Sequence, residues 1–424
     1  MNMELNLHKS SEKIFLLGIF LLASTMSIGI VLILIASIIS IFYRKKDLLQ
    51  DKWSIFLIAI GLLMIVSCLV QTVNYTNQNL YEWKISLTWI GLLNWLPLFY
   101  LFISIQDFLR TSTQRLKVAI CLFSGTIPVL ITGLGQYFFK WEGPLILGNG
   151  LVIWYLKEIE PHLGLSGLFS NQNYTGAWLS IIWPFNLGFI FINKKNNLKK
   201  SLSLIFLLVL TLVTILTTSR NAIIGIILSI PIVTGIKSSF IILLIISFLL
   251  ILLIFESYLP FSNQILKFLN SLIPHQFLDK FQKLNLVNIY EYRRINLWKD
   301  AFSLISKRPF FGLGAAFFPI LYDVYYNPTY YTERHTHNLF IELTASYGFV
   351  VSVLTFGFII YLIFQTWKTI QNNKKKHDDI FNKSWLASSI IIVLSQMNDI
   401  TYFDGRISVM FWILLAGLRN IIVE

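Results

Sequence analysis

Long apolar runs, separated by short charged segments, recur along this chain from end to end. Because a membrane-crossing helix uses about 20 apolar residues, each of these runs is a candidate span. Of the 424 residues, 55% are hydrophobic and only 13% are charged, which is about half the charged share of an ordinary soluble domain. The pattern excludes a soluble globular protein and predicts several membrane crossings.

The runs together predict about twelve spans. The first run, from Ile14 to Tyr43, is too long for one span and predicts a tight hairpin of two short helices. It continues past Ala23, so we interpret it as an uncleaved helix and not as a signal peptide. The later runs lie near residues 54–70, 85–106, 117–137, 174–193, 201–217, 220–236, 238–258, 338–366, 384–399 and 405–422.

The predicted fold is an all-α integral membrane protein with three parts. Residues 1–258 form an N-terminal transmembrane bundle of about nine spans. Residues 259–336 form a large loop, and residues 337–424 form three C-terminal spans.

Basic residues are distributed unequally between the segments that join the runs. With both termini in the cytoplasm, 20 of the 34 Lys and Arg residues fall on the inward side, and five lie in short outward loops. The remaining nine lie in the segment from Leu259 to Thr336. Since cytoplasmic loops carry the excess of positive charge, both termini are predicted to be cytoplasmic and this segment to face outward. Topology then explains the net charge of +13, and no nucleic-acid partner is expected.

The outward segment is too long for a simple connector and is rich in aromatic and aliphatic residues, so it is predicted to fold. An amphipathic helix is predicted from Glu291 to Lys307. One face of that helix, at the spacing i, i+4, i+7, i+11, carries Arg294, Trp298, Ala301 and Ile305. Pro309 is expected to end the helix, and Gly312 and Gly314 are expected to supply a turn.

Few ionisable residues lie deep inside the runs, which disfavours an ion pump or a proton relay. Polar residues instead collect at the predicted outer surface. They are Asn171, Asn173, Arg220, Arg293, Arg294, His335, His337, Asn338, Asp399, Asp404 and Arg406. We expect one wet site at the outer interface.

Arg220 follows a very tight outward turn between two runs. Ser219 is expected to cap the next helix, so that Arg220 and the first-turn amides converge on an anion. The alternative is a surface arginine that extends to the membrane interface. For Arg294, on the apolar stripe of the loop helix, anion binding and a salt bridge within the loop are equally consistent.

His335 and His337 precede the span that returns into the membrane. No metal site is expected, because two imidazoles one residue apart in extended chain point to opposite sides and no nearby Cys or carboxylate completes a ligand set. A neutral imidazole here can take a proton from a hydroxyl nucleophile, and a capping or packing histidine is the alternative. Glu342 lies about 140° from His337 around a helix, so we do not pair these two residues.

Four sequence segments carry a family resemblance. RINLWKDAFSLISKRPFFGLG, from Arg294 to Gly314, contains an arginine, a tryptophan, a proline and paired glycines. HTHNLFIELTASYGFVV contains His337 and Asn338, followed by nine residues and Gly348. TSRNAIIG surrounds Arg220, and NQNYTGAW, with Asn173, is a weaker fourth match. Together they resemble the O-antigen ligase and polymerase superfamily of bacterial polytopic membrane proteins.

This resemblance implies inverting, metal-independent glycosyl transfer from an undecaprenyl diphosphate-linked saccharide, without a cofactor, on the periplasmic face of the inner membrane. It implies that His337 is the catalytic base and that Arg220 and Arg294 bind the donor diphosphate. The supporting residues are Asn173, Ser219, His335, Asn338, Glu342 and Gly348. The implied partners are membrane lipid, the polyprenyl diphosphate-linked glycan donor and an acceptor hydroxyl on a glycan, on lipid A core or on a protein.

Within this superfamily we predict a polymerase first, and a ligase as the next hypothesis. A transporter of an inorganic anion such as bicarbonate is the alternative from another functional class, since arginines at helix ends also bind anions. A membrane anchor without chemistry is a third hypothesis, but it leaves the outward cluster of Arg, His and Asn unexplained.

Cysteine labelling tests the predicted topology, in a background with Ser at Cys68 and Cys121. Single cysteines introduced between Leu259 and Thr336 should react with a membrane-impermeant thiol reagent in intact spheroplasts, because this segment is predicted to be periplasmic. A cysteine beside Lys374 should react only after the membrane is opened. Labelling beside Lys374 in intact spheroplasts would invert the topology.

Overall fold

The computed structural model describes residues 2–44, 51–74, 84–160, 163–192, 196–254, 293–326, 334–372 and 379–424. Most of these residues are helical. Up to residue 254 the helices are α1 (Asn2–Leu21), α2 (Met26–Arg44), α3 (Lys52–Val73), α4 (Ser86–Gly91), α5 (Leu96–Ser104), α6 (Ser112–Gly125), α7 (Ile127–Phe139), α8 (Gln172–Ile192), α9 (Asn197–Leu216), α10 (Arg220–Thr234) and α11 (Ile236–Ile254).

Six further helices lie in the described part of the chain after residue 292. They are α12 (Arg293–Ile305), α13 (Phe318–Tyr326), α14 (Leu339–Tyr347), α15 (Phe349–Asn372), α16 (Asp379–Ser395) and α17 (Gly405–Val423). Helix α12 lies within the stretch for which the sequence predicts an amphipathic helix, whereas residues 259–292 and 327–333 of the large loop fall outside the described residues.

Seven helical segments within the described ranges are long and apolar enough to cross a membrane. They are Lys52–Val73, Ser86–Ser104, Ser112–Phe139, Gln172–Ile192, Asn197–Leu216, Phe349–Asn372 and Gly405–Val423. Three shorter apolar helices accompany them, at Met26–Phe42, Arg220–Thr234 and Ile380–Ser395. The all-α membrane class is therefore confirmed, while the number of about twelve spans and the cytoplasmic placement of the termini stay predictions.

Three runs that the sequence presents as continuous spans are broken in the structure. The run at 85–106 is interrupted by a 3-10 turn at Leu92–Asn94, and the run at 117–137 is interrupted between α6 and α7. Pro97 and Pro128 lie in the first turns of α5 and α7, where the missing N–H of proline costs no hydrogen bond. The run at 338–366 is divided at Gly348, whose φ is +96°.

A short β-hairpin between α7 and α8 was not expected from the sequence. Strands β1 (Leu145–Leu147) and β2 (Val152–Trp154) pair antiparallel, with Leu145 opposite Trp154. The indole Nε1 of Trp154 donates a 2.8 Å hydrogen bond to the carbonyl oxygen of Ser24. The hairpin is thereby attached to the turn between α1 and α2.

The helices α8, α10 and α16 form the part of the bundle that positions the site. Helices α8 and α10 run parallel, because Gly176 of α8 faces Ser219 and Gly225 of α10 faces Ser180. Helix α16 runs antiparallel to α8, and its Ser388 hydroxyl donates a 2.8 Å hydrogen bond to the carbonyl of Ile181. The amino ends of α8 and α10 therefore lie at the same end of the bundle as the carboxyl end of α16.

Ion pairs hold the opposite end of the bundle. The Arg115 guanidinium lies 2.6 Å from the Glu424 carboxylate, and that of Arg419 lies 2.9 Å from the Asp51 carboxylate. The Arg115 side chain is fully buried, so its charge is stabilised by these polar partners and not by water. Since α17 runs from Gly405 at the site end to Val423 here, the two ends of the bundle are chemically distinct.

A second apolar core joins the described part of the large loop to α14. Its buried members are Leu297, Ala301, Leu304, Ile305, Leu313, Phe318, Leu321, Ile341 and Ala345. These residues come from α12, α13 and α14 and from the chain between α12 and α13. The described part of the loop therefore packs against α14.

Replacing Gly176 with Ala tests the close approach of α8 and α10. A Cβ at Gly176 would lie 2.7 Å from the Cβ of Ser219, and such overpacking typically costs about 1–3 kcal/mol. We expect a lower thermal midpoint for the purified protein. In the control Gly357→Ala, no heavy atom of the described residues lies within 4 Å of the new Cβ, so the midpoint should hold or rise. A Gly176→Ala midpoint at or above wild type would contradict this packing.

Candidate active site

The amino end of α14 presents His337. Asn338 is the N-cap of α14, and its Oδ1 accepts hydrogen bonds from the backbone N–H groups of Phe340 and Ile341 at 3.0 and 3.2 Å. Its Nδ2 donates a 3.0 Å hydrogen bond to the carbonyl of Met397, in the connection between α16 and α17. Asn338 thus starts the helix and fixes its amino end against the neighbouring connection.

The nine residues between Asn338 and Gly348 form the whole of α14. Gly348 adopts a φ of +96°, which favours glycine, and its N–H donates to the carbonyl of Thr344. The next N–H, of Phe349, donates a 2.8 Å hydrogen bond to the carbonyl of Pro309. The spacing seen in the sequence therefore corresponds to one short capped helix with its far end against the loop.

The loop helix α12 reaches the residue that precedes His337. The indole Nε1 of Trp298 donates a 2.9 Å hydrogen bond to the carbonyl of Thr336. The N–H of Thr336 donates a 2.9 Å hydrogen bond to Glu342, which is 7% exposed. Glu342 therefore holds the backbone before His337, and Arg294 lies one helical turn before Trp298.

Asp399 lies beside His337. The Nδ1 of His337 is 3.0 Å from Oδ1 of Asp399, and the two side chains are 25% and 11% exposed. The other carboxylate oxygen, Oδ2, accepts a 2.7 Å hydrogen bond from Nδ2 of Asn173 at the start of α8. Three separate parts of the chain therefore meet at a partly open histidine–carboxylate pair.

The electrostatic surroundings keep Asp399 ionised. Burial by itself would raise the pKa of the Asp399 carboxyl. The hydrogen bond and the positive charge of His337 oppose this effect, and so do the charges of Arg294 and His335. The result is a pKa of Asp399 below its ordinary value.

An ionised Asp399 selects a tautomer of His337. A carboxylate is an acceptor, so it favours the form of the imidazole that carries its proton on Nδ1. The Nε2 atom then holds the lone pair. This arrangement can orient His337 as a proton acceptor and stabilise the imidazolium that forms after proton transfer.

The two histidines do not point apart, contrary to the expectation from an extended chain. His337 adopts a φ of +56°, and the two imidazole centroids lie 4.3 Å apart. The backbone N–H of His337 donates a 3.3 Å hydrogen bond to Nδ1 of His335. With Asp399, the two histidines offer ligand atoms that all lie within 4.8 Å of one another. The expectation that the two imidazoles point to opposite sides is therefore wrong, and a carboxylate that is distant in the sequence lies beside them.

Arg220 is the first residue of α10 and is exposed at the end of the bundle that carries the site. Ser219 occupies the N-cap position, but the expectation that its side chain caps α10 is wrong, because it makes no capping hydrogen bond. Ser219 is instead buried against Gly176, where α8 and α10 approach most closely. The turn before Arg220 is fixed by this packing.

Asp404 and Arg406 belong to the structural support of the site. The Asp404 carboxylate caps α17 by accepting from the N–H of Arg406, and it also pairs with the Arg406 side chain at 3.1 Å. The Arg406 guanidinium lies 4.0 Å from the ring centroid of Phe169 and donates to the carbonyl of Ala23. Both side chains are buried, so neither is placed to meet a substrate.

Asp399 is the site residue that the sequence reasoning did not assign to His337. The sequence indicates only that Asp399 lies at the outer end of the apolar run 384–399. That position places Asp399 among the outward polar residues but does not indicate its partner. The separation of 62 positions along the chain gave no indication of contact.

Residues 204–356 match the family model described as O-antigen ligase. The matched segment contains Arg220, Arg294, His337, Asn338 and Gly348, whereas Asn173 and Asp399 lie outside it. No curated protein matches the chain. The family match confirms the relationship to the O-antigen ligase and polymerase superfamily. Together with the apolar helices, it indicates a multi-pass membrane protein of glycan assembly.

The Asp399→Asn variant tests the charge state of the pair. Near neutral pH it should be less stable than wild type by about 1.5–3 kcal/mol, because hydrogen bonds to a charged group are lost. A depressed folded-state pKa stabilises the protein fully above the unfolded value, near 3.9, and this stabilisation is lost as pH falls through the folded value. The difference in thermal midpoint should therefore stay constant above about pH 5 and shrink as the pH falls from there to about pH 3. A difference that stays constant over this range would contradict an ionised Asp399.

Proposed function

We propose that this chain transfers a glycan from a polyprenyl diphosphate carrier to an acceptor hydroxyl, on the periplasmic face of the bacterial inner membrane. The observation that supports this proposal most directly is the 3.0 Å contact between Nδ1 of His337 and Oδ1 of Asp399. The positive charge of Arg294 acts on the same carboxylate. A hydroxyl nucleophile needs a base, and a diphosphate leaving group needs positive charge. Both requirements are met at one end of the bundle.

The base in this proposal is Nε2 of His337. It takes the proton of the acceptor hydroxyl as the oxygen attacks the anomeric carbon of the donor sugar. The bond from that carbon to the phosphate oxygen breaks, and its electron pair leaves with the polyprenyl diphosphate. Attack opposite to the leaving group inverts the anomeric configuration. Asp399 stabilises the imidazolium, which later releases its proton to water.

Guanidiniums take the role of a metal ion in this proposal. A lipid diphosphate is already a good leaving group, and planar arginine side chains make bidentate contacts with phosphate oxygens. Arg220 at the amino end of α10 and Arg294 on α12 supply charge from the bundle and from the loop. The transfer is therefore proposed to be independent of Mg²⁺ and of any cofactor.

The acceptor defines the subtype of the enzyme. We propose first a polymerase, whose acceptor is a glycan, and second a ligase, whose acceptor is lipid A core; a protein acceptor is the third alternative. The lipid tail of the donor would lie between helices.

The alternative of an anion transporter has less support, because His337, Asp399 and the arginines lie at one end of the bundle. A transport site is expected near the middle of the membrane.

Removing either arginine tests the diphosphate site. Arg220→Ala and Arg294→Ala should each lower transfer by on the order of 10²–10³-fold, the usual cost of one preorganised group that stabilises developing charge. Lys should restore little activity, because it lacks the planar fork. Arg308→Ala is the control, since Arg308 is an exposed arginine of the same loop. Near-wild-type transfer by either test variant, at equal protein level, would remove that arginine from the mechanism.

Replacing the histidines separately tests the base. His337→Ala should lower transfer by about 10²–10⁴-fold, the typical contribution of a general base. Binding of the donor should survive, because the arginines hold the diphosphate. His335→Ala should have a milder effect, since Nδ1 of His335 accepts the backbone N–H of His337 and so positions the base without taking the proton. An inactive His335→Ala beside an active His337→Ala would reverse the assignment.

A further inference from the structure

His335, His337 and Asp399 form a compact set of metal-ligand side chains. Their ligand atoms all lie within 4.8 Å of one another. The positive φ of His337 brings the imidazoles together, and the connection after α16 supplies the carboxylate. The proposed transfer reaction uses His337 as the base with Asp399 as its partner, and it gives the side chain of His335 no chemical step.

The donor types and spacing suit a zinc ion. Zn²⁺ takes imidazole nitrogen and carboxylate oxygen at about 2.0–2.2 Å, so two ligands of one tetrahedral ion lie about 3.4 Å apart. The observed separation between Nδ1 of His337 and Oδ1 of Asp399 is 3.0 Å. Rotation of the partly exposed His335 side chain then closes the set around an ion, and water takes the fourth position.

The Asp399 carboxylate is oriented by a hydrogen bond from a neighbouring side chain, as carboxylate ligands of metal ions commonly are. Asn173 donates to Oδ2 of Asp399 at 2.7 Å, which leaves Oδ1 directed at His337. Such outer hydrogen bonds commonly orient ligating carboxylates. The positive charge of Arg294 opposes a divalent cation, so we expect micromolar and not nanomolar affinity.

We propose that His335, His337 and Asp399 bind Zn²⁺ and that the bound ion inhibits the protein. The ion replaces the proton between His337 and Asp399. A neutral imidazole ligated through Nδ1 carries its proton on Nε2, so Nε2 has no lone pair for the acceptor hydroxyl. Binding rests on the geometry alone, whereas inhibition rests on the proposed function.

Zinc titration of the untagged full-length protein, stripped with EDTA and purified in detergent, tests the site without reference to activity. Calorimetry should show one Zn²⁺ bound per chain with micromolar affinity, and His335→Ala should weaken it at least tenfold. The matched control is Asp404→Asn, which alters a carboxylate of the same connection that faces Arg406. Equal affinity in wild type and His335→Ala, or an equal loss in the control, would overturn the site.

Transfer assays test inhibition separately. Zn²⁺ should lower wild-type transfer, EDTA should restore it, and the residual transfer of His335→Ala should need at least tenfold more Zn²⁺ for the same inhibition. Activity that disappears in EDTA and returns with Zn²⁺ would overturn the inhibitory role. Absence of transfer by the metal-free wild type would contradict the proposed function, and the titration would still decide whether the metal site exists.

Discussion

The hydrogen bond between His337 and Asp399 forms only when two distant parts of the chain are brought together by the folded bundle. His337 stands before α14, and Asp399 lies in the connection between α16 and α17, 62 residues later. Backbone contacts bring the two together: the N–H of Leu339 donates to the carbonyl of Gln396 at 2.9 Å. Gln396 is buried and its side chain accepts from the N–H of Tyr402, which closes the connection around Asp399.

The large loop is coupled to the same pair through the backbone around α14. Trp298 holds the carbonyl of Thr336 immediately before His337, and Pro309 accepts from Phe349 at the other end of α14. Because both contacts involve backbone atoms, a displaced loop moves the ends of α14 and with them His337. The tryptophan and proline of the sequence motif thus both hold α14, and Arg294 lies on the same loop helix as Trp298.

The sequence predicts the helices well because lipid imposes a simple rule: apolar runs of sufficient length become helices. It predicts their interruptions less well, because Gly348 and the prolines act through local backbone geometry that hydropathy does not record. The loop helix α12 was predictable from its apolar spacing, since its stripe packs on α14. The β-hairpin at residues 145–154 was not, because its strands are three residues long.

The site was predictable only where residues are close in sequence. Arg220, Arg294 and His337 were marked by their unusual position at the outer ends of apolar runs. The pairing of His337 with Asp399 and the burial of Ser219 depend on how α8, α10 and α16 pack, and no local pattern contains that information. The expectation that the imidazoles of His335 and His337 point to opposite sides was wrong for a related reason. The φ of +56° at His337 reverses the direction of its imidazole relative to an extended chain.

Transfer of lipid-linked glycan is the central claim, and a gel comparison of surface glycans from cells with and without this protein tests it most directly. A polymerase predicts loss of the long-chain ladder, with capped species of a single repeat remaining. Loss of every capped species, with accumulation of lipid-linked polymer, would retain glycan transfer and assign the ligase. An unchanged pattern of every surface and protein-linked glycan would contradict the account.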